Sequence, residues 1–276
     1  FGGTAASLRE ATYLPLPEPE PGALGEAAAE AVLEKLGAYD GLLVGCGLGR
    51  EEATGEFLRH LLGLGGTKRR LGVGFLSQLG REEQPKHRPG VGFRSGREAK
   101  PEPAAEKPAE EQHDPGSLPL VIDADGLNLL AGVEDWAVKL RERPTVLTPH
   151  PGEMARLLGV ERIGEDAAEV AASAAAEWGV VVVLKGAHTV VAAPDGQVAL
   201  HGAANAALAT AGTGDVLAGL IVGLLAQGLA PFDAARLGVG VHGLAGRLLS
   251  DELGDRGVVA GDLLPRLPLA FRRLVG

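Results

Sequence analysis

The sequence predicts an α/β protein whose central sheet is mainly parallel and is covered by helices on both faces. Short runs of valine, leucine and isoleucine recur along the chain, and segments with helical spacing of apolar residues lie between the earlier runs. An apolar strand without polar alternation is buried on both faces, as the strands of a parallel sheet between two helix layers are. Two later runs flank Pro194-Asp195-Gly196 and predict a β-hairpin.

The elements follow in a definite order along the chain. Strands are predicted at 41–45, 120–122, 145–147 and 180–184, and the hairpin strands at 190–192 and 198–200. Helices are predicted at 23–36, 51–62, 167–177 and 216–225, with helical turns near 128–130 and 154–158. Ligands of such sheets bind at the carboxyl ends of the strands. Polar and glycine-rich clusters follow the predicted strands directly, so we expect a site at that edge.

Length and local composition predict the domain organisation. The 276 residues fit a single domain spanning 1–276. Residues 63–117 are rich in Gly, Pro and charged residues, and 97–114 contain almost no apolar residue larger than alanine. A segment with so little apolar surface to bury does not form a core. We therefore predict a mobile insertion at 63–117.

Charge and cysteine content restrict the partners and the compartment. A net charge of -10 repels nucleic-acid backbones and anionic membranes, so neither is expected as a partner. One cysteine permits neither a disulfide framework nor a cysteine-based zinc site, which fits a cytoplasmic protein. The N-terminal residues do not resemble a signal peptide, and the longest apolar run, 216–225, is too short to span a bilayer.

The strongest local motif is Ala209 to Asp215, where a glycine turn opens an apolar helix. Glycines let the backbone approach a ligand closely, and the unpaired N–H groups of a helix start attract an anion. The motif lacks the lysine of a phosphate-binding loop of the Gly-x4-Gly-Lys-Ser/Thr type. Asp215 has two interpretations: a carboxylate that accepts a proton from a substrate hydroxyl, or a helix cap.

Two other strand ends carry glycines or carboxylates. The turn at 45–49 does not have the spacing of a dinucleotide fingerprint and is either a plain turn or a glycine wall of a substrate pocket. Asp123 and Asp125, two residues apart, could help to order a hydrated Mg²⁺. Asn128 could instead cap the next helix. Residues alone favour neither alternative.

Two further strand ends carry basic or titratable side chains. His150 lies between two prolines that fix its backbone, which favours contact with a ligand over a structural role. Glu153 could equally belong to the first turn of a helix. Lys185, which precedes Gly186, could neutralise a phosphate or could be an exposed lysine in a turn.

Five segments together resemble the ADP/ATP-dependent NAD(P)H-hydrate dehydratases, a family with a ribokinase-like fold. They occur in the order of the family and at approximately its spacing: Val121–Asn128, Leu147–Glu153, Leu184–Thr189, Ala209–Asp215 and Gly240–Gly246. The resemblance is strong from Leu118 onward and weak over Ala23–Leu62.

The resemblance implies a repair reaction on the S epimer of hydrated NADH or NADPH. ADP or ATP would phosphorylate the ring hydroxyl with the help of Mg²⁺, and phosphate would then leave to restore the reduced cofactor. Asp215 would be the general base on the hydroxyl. The N–H groups of Gly212 and Gly214 would stabilise the phosphoryl group in transfer.

The same resemblance assigns the binding residues. The expected nucleotide contacts are Lys185, Gly186, Ala187, His188, Thr189, Asn205, Ala209, Thr210, Ala211, Gly212, Thr213 and Gly214. The expected substrate contacts are Gly47, Gly49, Asp125, Asn128, His150, Pro151, Gly152, Glu153, Arg156 and Asp215. Phosphates and water are expected to carry most of the Mg²⁺ coordination, with Asp123 or Glu153 as candidate protein ligands.

The chain departs from the family pattern at three places. The N-terminal strand of the family and its glycine–serine loop are not visible before Ser7. The family has Asn-Pro-Gly at Asn205-Ala206-Ala207 and Gly-Gly at Ala211-Gly212. With no epimerase domain in the sequence, we expect a separate epimerase in the same pathway and a homo-oligomer, often a tetramer in this family.

Two other functions remain open at the level of sequence. A small-molecule kinase of the same superfamily, acting on a vitamin precursor, would share the Gly-Asp helix start. A nucleotide-binding protein without catalytic activity would fit the altered loop at Asn205-Ala206-Ala207.

Overall fold

A computed structural model of the chain describes residues 11–64, 114–202 and 204–275. Its six strands are β1 Leu42–Val44, β2 Leu120–Ile122, β3 Thr145–Leu147, β4 Val181–Leu184, β5 Thr189–Ala192 and β6 Val198–His201. Its α-helices are α1 Glu26–Leu36, α2 Glu52–Leu61, α3 Asp125–Leu130, α4 Trp136–Leu140, α5 Pro151–Leu157, α6 Ala167–Trp178, α7 Thr213–Ala226, α8 Pro231–Leu253 and α9 Leu267–Val275. Two 3₁₀ helices cover Ala206–Ala209 and Ala260–Arg266.

The strands form one sheet in the order β1-β2-β3-β4-β5-β6. β1 to β4 are parallel neighbours, whereas β5 and β6 are added antiparallel. The predicted mainly parallel sheet with a hairpin is therefore confirmed. Because the first four strands run in one direction, their carboxyl ends lie at one edge of the sheet, where the predicted polar clusters follow them.

Helices pack on both faces of the sheet, as predicted. On one face, Leu120 and Ile122 of β2 join the buried core that α1 to α6 share. On the other face, Val121 of the same strand packs in the core of α7 and α8. Alternate side chains of a strand point to opposite faces, so a continuous apolar strand is what two covering layers require. Trp136 and Trp178 close the first core in an edge-to-face pair, with ring centroids 5.0 Å apart.

Several element boundaries differ from the prediction. Helix α1 begins at Glu26 rather than at 23, and α3 begins at Asp125, directly after the Asp123 cluster. Helix α7 begins at Thr213, so the glycine turn and Asp215 belong to its start. Sequence reasoning did not predict α4, α8 or α9.

The chain divides into one unit of residues 1–65 and 112–276 and a second unit of residues 66–111. The second unit lies outside the described residues, as does most of the segment 63–117. The mobile insertion and the single-domain organisation therefore stay predictions. Among the described residues, no helix combines the length and the apolar character needed to cross a membrane.

Candidate active site

The loops after β1 and β2 meet so closely that both need glycine. Gly45 has φ +126°, and a Cβ there would collide with the carbonyl oxygen of Asp123 and lie 2.7 Å from the amide nitrogen of Gly126. A Cβ on Gly126 would in turn lie 2.9 Å from the carbonyl oxygen of Val44. This close approach brings the turn at Cys46 beside Asp123.

A buried ion pair joins the ends of β2 and β4. Lys185 Nζ lies 2.6 Å from Asp123 Oδ1, and the two side chains are 20% and 1% exposed. Lys185 is thus not an exposed lysine in a turn, because its ammonium lies under the start of α7. A Cβ on Gly214 would be 3.3 Å from Lys185 Nζ. The ion pair places the Lys185 ammonium where the sequence predicts a phosphoryl group.

A thiol and two carboxylates converge beside this pair. Cys46 Sγ and one carboxylate oxygen each of Asp123 and Asp215 lie within 4.8 Å of one another. Burial, together with the negative charges of Asp123 and Asp215, raises the pKa of the Cys46 thiol to about 12, and the charge of Lys185 partly opposes this shift. At neutral pH Cys46 is therefore a neutral thiol.

The first turn of α7 is open to a ligand. Its N-cap is Gly212, with φ +87° and no side-chain cap. Contacts of the Thr213 hydroxyl hold the turn in place, because Oγ1 lies 2.7 Å from the carbonyl oxygen of Leu208 and 2.8 Å from that of Thr210. Asp215 is exposed within the first turn rather than at the cap position. The geometry thus does not support the alternative that Asp215 is the helix cap.

His242 of α8 holds this turn from behind. Its Nε2 lies 2.9 Å from the carbonyl oxygen of Thr213, and the residue is 8% exposed. A carbonyl oxygen only accepts, so Nε2 carries the proton and donates. Burial, together with the charges of His201 and Lys185, lowers the pKa of His242 to about 4, against the opposing effect of the hydrogen bond to Thr213. The ring is therefore neutral near pH 7.

Protonation of His242 is expected to make the fold sensitive to acid. Between pH 6.5 and about 4 the unfolded chain holds a proton on this ring and the native chain does not. The contribution of His242 to the free energy of unfolding is therefore fully present above pH 6.5 and is lost as the pH falls towards 4. The total loss is about 3 kcal/mol. Urea unfolding of the wild type and of His242→Gln from pH 7.5 to 4.5 measures the effect.

The amide of His242→Gln can donate to the Thr213 carbonyl oxygen but does not titrate. The variant is thus expected to lose less stability on acidification than the wild type. The exposed His60 on α2 provides the matched control, His60→Gln, which should follow the wild-type curve. Parallel curves for wild type and His242→Gln would contradict the assignment.

A cleft of about 940 Å³ opens beside the start of α7. Most of the predicted nucleotide contacts line it: Lys185, Gly186, Ala187, Thr189, Asn205, Ala209, Thr210, Ala211, Gly212, Thr213 and Gly214. His188 is not among its lining residues. His150 and Pro151, which were assigned to the substrate, line it as well. The cleft thus brings together residues separated by more than sixty positions in the chain.

Several lining residues escaped sequence reasoning: His201, Ala204, Leu217, Val239, His242, Gly243 and Asp255. Among them, Gly243 is required by packing, because a side chain there would collide with the imidazole of His201. His242 and Gly243 lie within the Gly240–Gly246 motif, which matched the family but had no assigned role. The motif was recognisable in the sequence, but only the fold shows that His242 and Gly243 line the cleft.

Most of the remaining predicted substrate residues form a second group outside this cleft. Asp125 accepts a hydrogen bond from Gly49 N at 3.2 Å and pairs with Arg50 Nε at 2.6 Å. Asn128 Oδ1 accepts from Arg156 Nη1 at 2.7 Å, and its amide nitrogen donates to the Ala124 carbonyl oxygen. Asn128 is therefore inside α3 rather than its cap, which is Ala124. Sequence reasoning missed Arg50. Gly47, with φ +67°, lies in the turn after β1 beside Cys46.

His150 and Glu153 begin α5 through a reciprocal capping arrangement. His150 Nδ1 accepts from the amide nitrogens of Gly152 at 3.0 Å and of Glu153 at 3.3 Å. Glu153 Oε2 accepts from the amide nitrogen of His150 at 2.9 Å, and Glu153 is 5% exposed. This leaves the imidazole of His150, half exposed, at the rim of the cleft.

The described side chains do not form a magnesium cage. Mg²⁺ prefers hard oxygen ligands in octahedral geometry. Among the residues that the structure describes, one group of three acidic, cysteine or histidine donors converges, and it includes the protonated thiol of Cys46. Asp123 is already paired with Lys185, and Glu153 with the start of α5. Neither candidate carboxylate thus fits as a direct Mg²⁺ ligand.

Solved structures of similar shape define the class of fold. A ribokinase-like superfamily protein from Enterococcus faecalis matches 91% of this chain and 69% of its own, at 21% identity and a TM-score of 0.60. The ADP/ATP-dependent NAD(P)H-hydrate dehydratase from Bacillus subtilis, co-crystallised with ATP/Mg²⁺ and soaked with CoA, matches 98% of this chain and 76% of its own. Its identity is 25% and its TM-score 0.61. The fold is ribokinase-like.

Sequence comparison identifies the family within that class. A family model described as NAD(P)H-hydrate dehydratase matches residues 91–268. The bifunctional NAD(P)H-hydrate repair enzyme of Moorella thermoacetica is 40% identical over 99% of this chain and 42% of its own length. The ADP-dependent (S)-NAD(P)H-hydrate dehydratase of Neisseria meningitidis is 42% identical over 53% of this chain and 51% of its own. The chain belongs to the NAD(P)H-hydrate dehydratase family, and it spans about two fifths of the bifunctional relative.

Proposed function

We propose that this chain dehydrates the S epimer of hydrated NADH or NADPH with ADP or ATP as co-substrate. The observation that carries the proposal is the exposed carboxylate of Asp215 at the open start of α7, beside a cleft of about 940 Å³. A cleft of that size accommodates an adenine nucleotide. Family membership supports the same reaction.

The reaction divides into phosphorylation and elimination. Asp215 takes the proton of the ring hydroxyl, and the resulting oxygen attacks the terminal phosphoryl group, which leaves AMP from ADP or ADP from ATP. The C–O bond then breaks with loss of inorganic phosphate, and a proton leaves the neighbouring ring carbon as the C=C bond forms. The first step converts hydroxide, a poor leaving group, into phosphate, a good one.

The protein contributes electrostatic stabilisation at the transferring group. The N–H groups at Gly212 to Gly214 begin a 14-residue helix, whose dipole favours negative charge there. The Lys185 ammonium lies next to Gly214 of that turn, with its charge partly balanced by Asp123. Because Asp123 pairs with Lys185, the ammonium is held at the strand end instead of extending into solvent.

The substrate side is proposed to be the surface formed by Gly47, Gly49, Asp125, Asn128 and Arg156, with His150 and Pro151 at its boundary with the nucleotide cleft. The Arg50–Asp125 and Arg156–Asn128 contacts order this surface before a ligand binds. Arg50 and Arg156 supply the cations of these contacts, and arginine suits the phosphates of a dinucleotide.

A coupled absorbance assay tests the proposal. The protein is incubated with hydrated NADH, Mg²⁺ and either ADP or ATP, and the recovery of reduced-nicotinamide absorbance is followed. Recovery that requires both the protein and the nucleotide is expected. A folded protein that gives no recovery but phosphorylates a vitamin alcohol would instead identify the small-molecule kinase.

The source of Mg²⁺, the partner enzyme, the oligomeric state and the location are further predictions of the proposed function. Mg²⁺ is expected to arrive with the nucleotide phosphates, since the described side chains offer it no cage of their own. The Moorella relative is a bifunctional NAD(P)H-hydrate repair enzyme, which supports an epimerase as the functional partner. A homo-oligomer is expected from the family resemblance, and a cytoplasmic location from the single cysteine.

A further inference from the structure

The nucleotide loop, residues 205–213, leads into the start of α7 and contributes more lining residues to the cleft than any other segment. Ala206 and Ala207 follow its first residue. Alanine restricts the backbone less than proline does, so these two positions do not fix the course of the loop by themselves. The structure shows instead that helix α8 holds the loop along its length.

Three residues of α8 contact the nucleotide loop in succession. His242 holds its last residue, as described above. A Cβ on Gly246 would lie 2.7 Å from Leu208 Cγ, so the middle of the loop packs directly against the helix backbone. Ser250 Oγ lies 3.0 Å from the side-chain oxygen of the first residue of the loop. The hydrogen bond of Ser250 has no part in the reaction described above.

The partners of Asn205 determine which way its side-chain amide faces. Its Oδ1 accepts a hydrogen bond from the amide nitrogen of Ala207 at 2.9 Å. Since a backbone N–H only donates, the atom that faces it is the oxygen rather than the nitrogen. The same oxygen accepts from Ser250, so both of its acceptor positions are engaged. The Nδ2 group, with two protons to donate, is left for another partner.

We propose that Ser250 is a positioning residue that orients the Asn205 amide so that Nδ2 donates to an acceptor atom of the adenine nucleotide. This inference rests on the proposed role of the cleft in nucleotide binding. Asn205 lines the cleft and Ser250 does not, so Ser250 acts through Asn205. Within the described part of the chain, no residue accepts a hydrogen bond from Asn205 Nδ2.

The benefit of this arrangement is preorganisation. With two donors on one oxygen, the amide of Asn205 is already ordered before the nucleotide arrives, and binding does not have to supply the free energy of ordering it. A hydrogen bond between uncharged groups contributes about 1 kcal/mol net, which corresponds to about a fivefold change in affinity. The expected effect of the Ser250 hydroxyl is therefore of that size.

The first experiment measures nucleotide affinity without measuring activity. Isothermal titration calorimetry with ADP is expected to show about fivefold weaker binding to Ser250→Ala than to the wild type. Ser250→Thr keeps the hydroxyl and should bind ADP within about twofold of the wild type. Alanine is a better helix former than serine, so a loss of affinity in Ser250→Ala is not expected to come with a lower melting temperature.

Ser173→Ala is the matched control. Ser173 is exposed on α6, where the same change of side chain occurs in a helix that does not line the cleft. This variant should bind ADP as the wild type does. Equal affinities of Ser250→Ala and the wild type for ADP would overturn the proposal.

A double-mutant cycle tests whether Ser250 acts through Asn205. Asn205→Ala removes both the proposed donor and the acceptor that Ser250 orients. In the background of Asn205→Ala, the additional change Ser250→Ala is therefore expected to leave the affinity for ADP unchanged. A further fivefold loss in the double variant would show that Ser250 acts by another route, and the proposal would be wrong.

Steady-state kinetics separate positioning from a general loosening of the site. Ser250→Ala is expected to raise KM for ADP about fivefold and to keep kcat close to the wild type, because a contact to the bound nucleotide acts equally before and during phosphoryl transfer. A fall in kcat with unchanged KM would contradict this role. A wild-type protein that binds ADP without restoring reduced nicotinamide would refute the proposed function, while calorimetry would still decide the role of Ser250. A wild-type protein that does not bind ADP would overturn the proposal for Ser250.

Discussion

Asp215→Asn is expected to lower kcat by about 10²- to 10⁴-fold, the usual contribution of a positioned general base. Asparagine has the same shape but takes no proton from a substrate hydroxyl. The residue is exposed at the start of α7 and contributes nothing to the helix cap, which is Gly212. The residues that line the proposed nucleotide cleft include Gly214 but not Asp215.

The binding of ADP or ATP to Asp215→Asn should accordingly stay within about twofold of the wild type, measured by isothermal titration calorimetry. Initial rates of reduced-nicotinamide recovery give kcat. Asp233→Asn, in the first turn of α8, controls for the loss of one negative charge and should keep wild-type kinetics. A parallel loss of turnover, nucleotide binding and melting temperature would show that Asp215 acts mainly on the structure.

Lys185→Met is expected to have the largest effect on stability, because it leaves the buried carboxylate of Asp123 without its cation. Removal of one partner of a fully buried ion pair costs about 3–5 kcal/mol. Lys185 is partly exposed while Asp123 is 1% exposed, so we expect about 2–3 kcal/mol of lost unfolding free energy. The affinity for ADP should fall as well, since the ammonium lies next to Gly214 of the turn proposed to bind phosphate.

A double variant and a surface control make this prediction specific. In Lys185→Met/Asp123→Asn the uncompensated charge is gone, and part of the lost stability should return. Lys139 pairs with Glu142 at 2.9 Å on the surface, with side chains more than half exposed, so Lys139→Met should change stability by at most about 1 kcal/mol. Urea unfolding at pH 7.5 compares the variants. Equal effects of Lys185→Met and Lys139→Met would refute the buried pair.

The carboxylates at the end of β2 show where local reasoning stops. Asp123 and Asp125 are two residues apart, which predicts a shared function such as a common cation. In the structure the backbone turns between them at Ala124, which has φ +50°, and the two side chains have different partners. Asp123 pairs with Lys185 and Asp125 with Arg50, 62 and 75 positions away in sequence. Spacing along the chain does not contain this information.

Sequence alone determined the sheet, its mainly parallel direction, the hairpin and the glycine-led start of α7, because apolar runs and glycine turns act over a few neighbouring residues. It also placed Asp215 correctly at that start. The tertiary structure alone decided that Lys185 is paired, that His242 supports Thr213, and that Cys46, Asp123 and Asp215 converge. These contacts depend on which strand ends and helices become neighbours. Which elements become neighbours depends on the packing of the whole core, and no single segment determines its own partner.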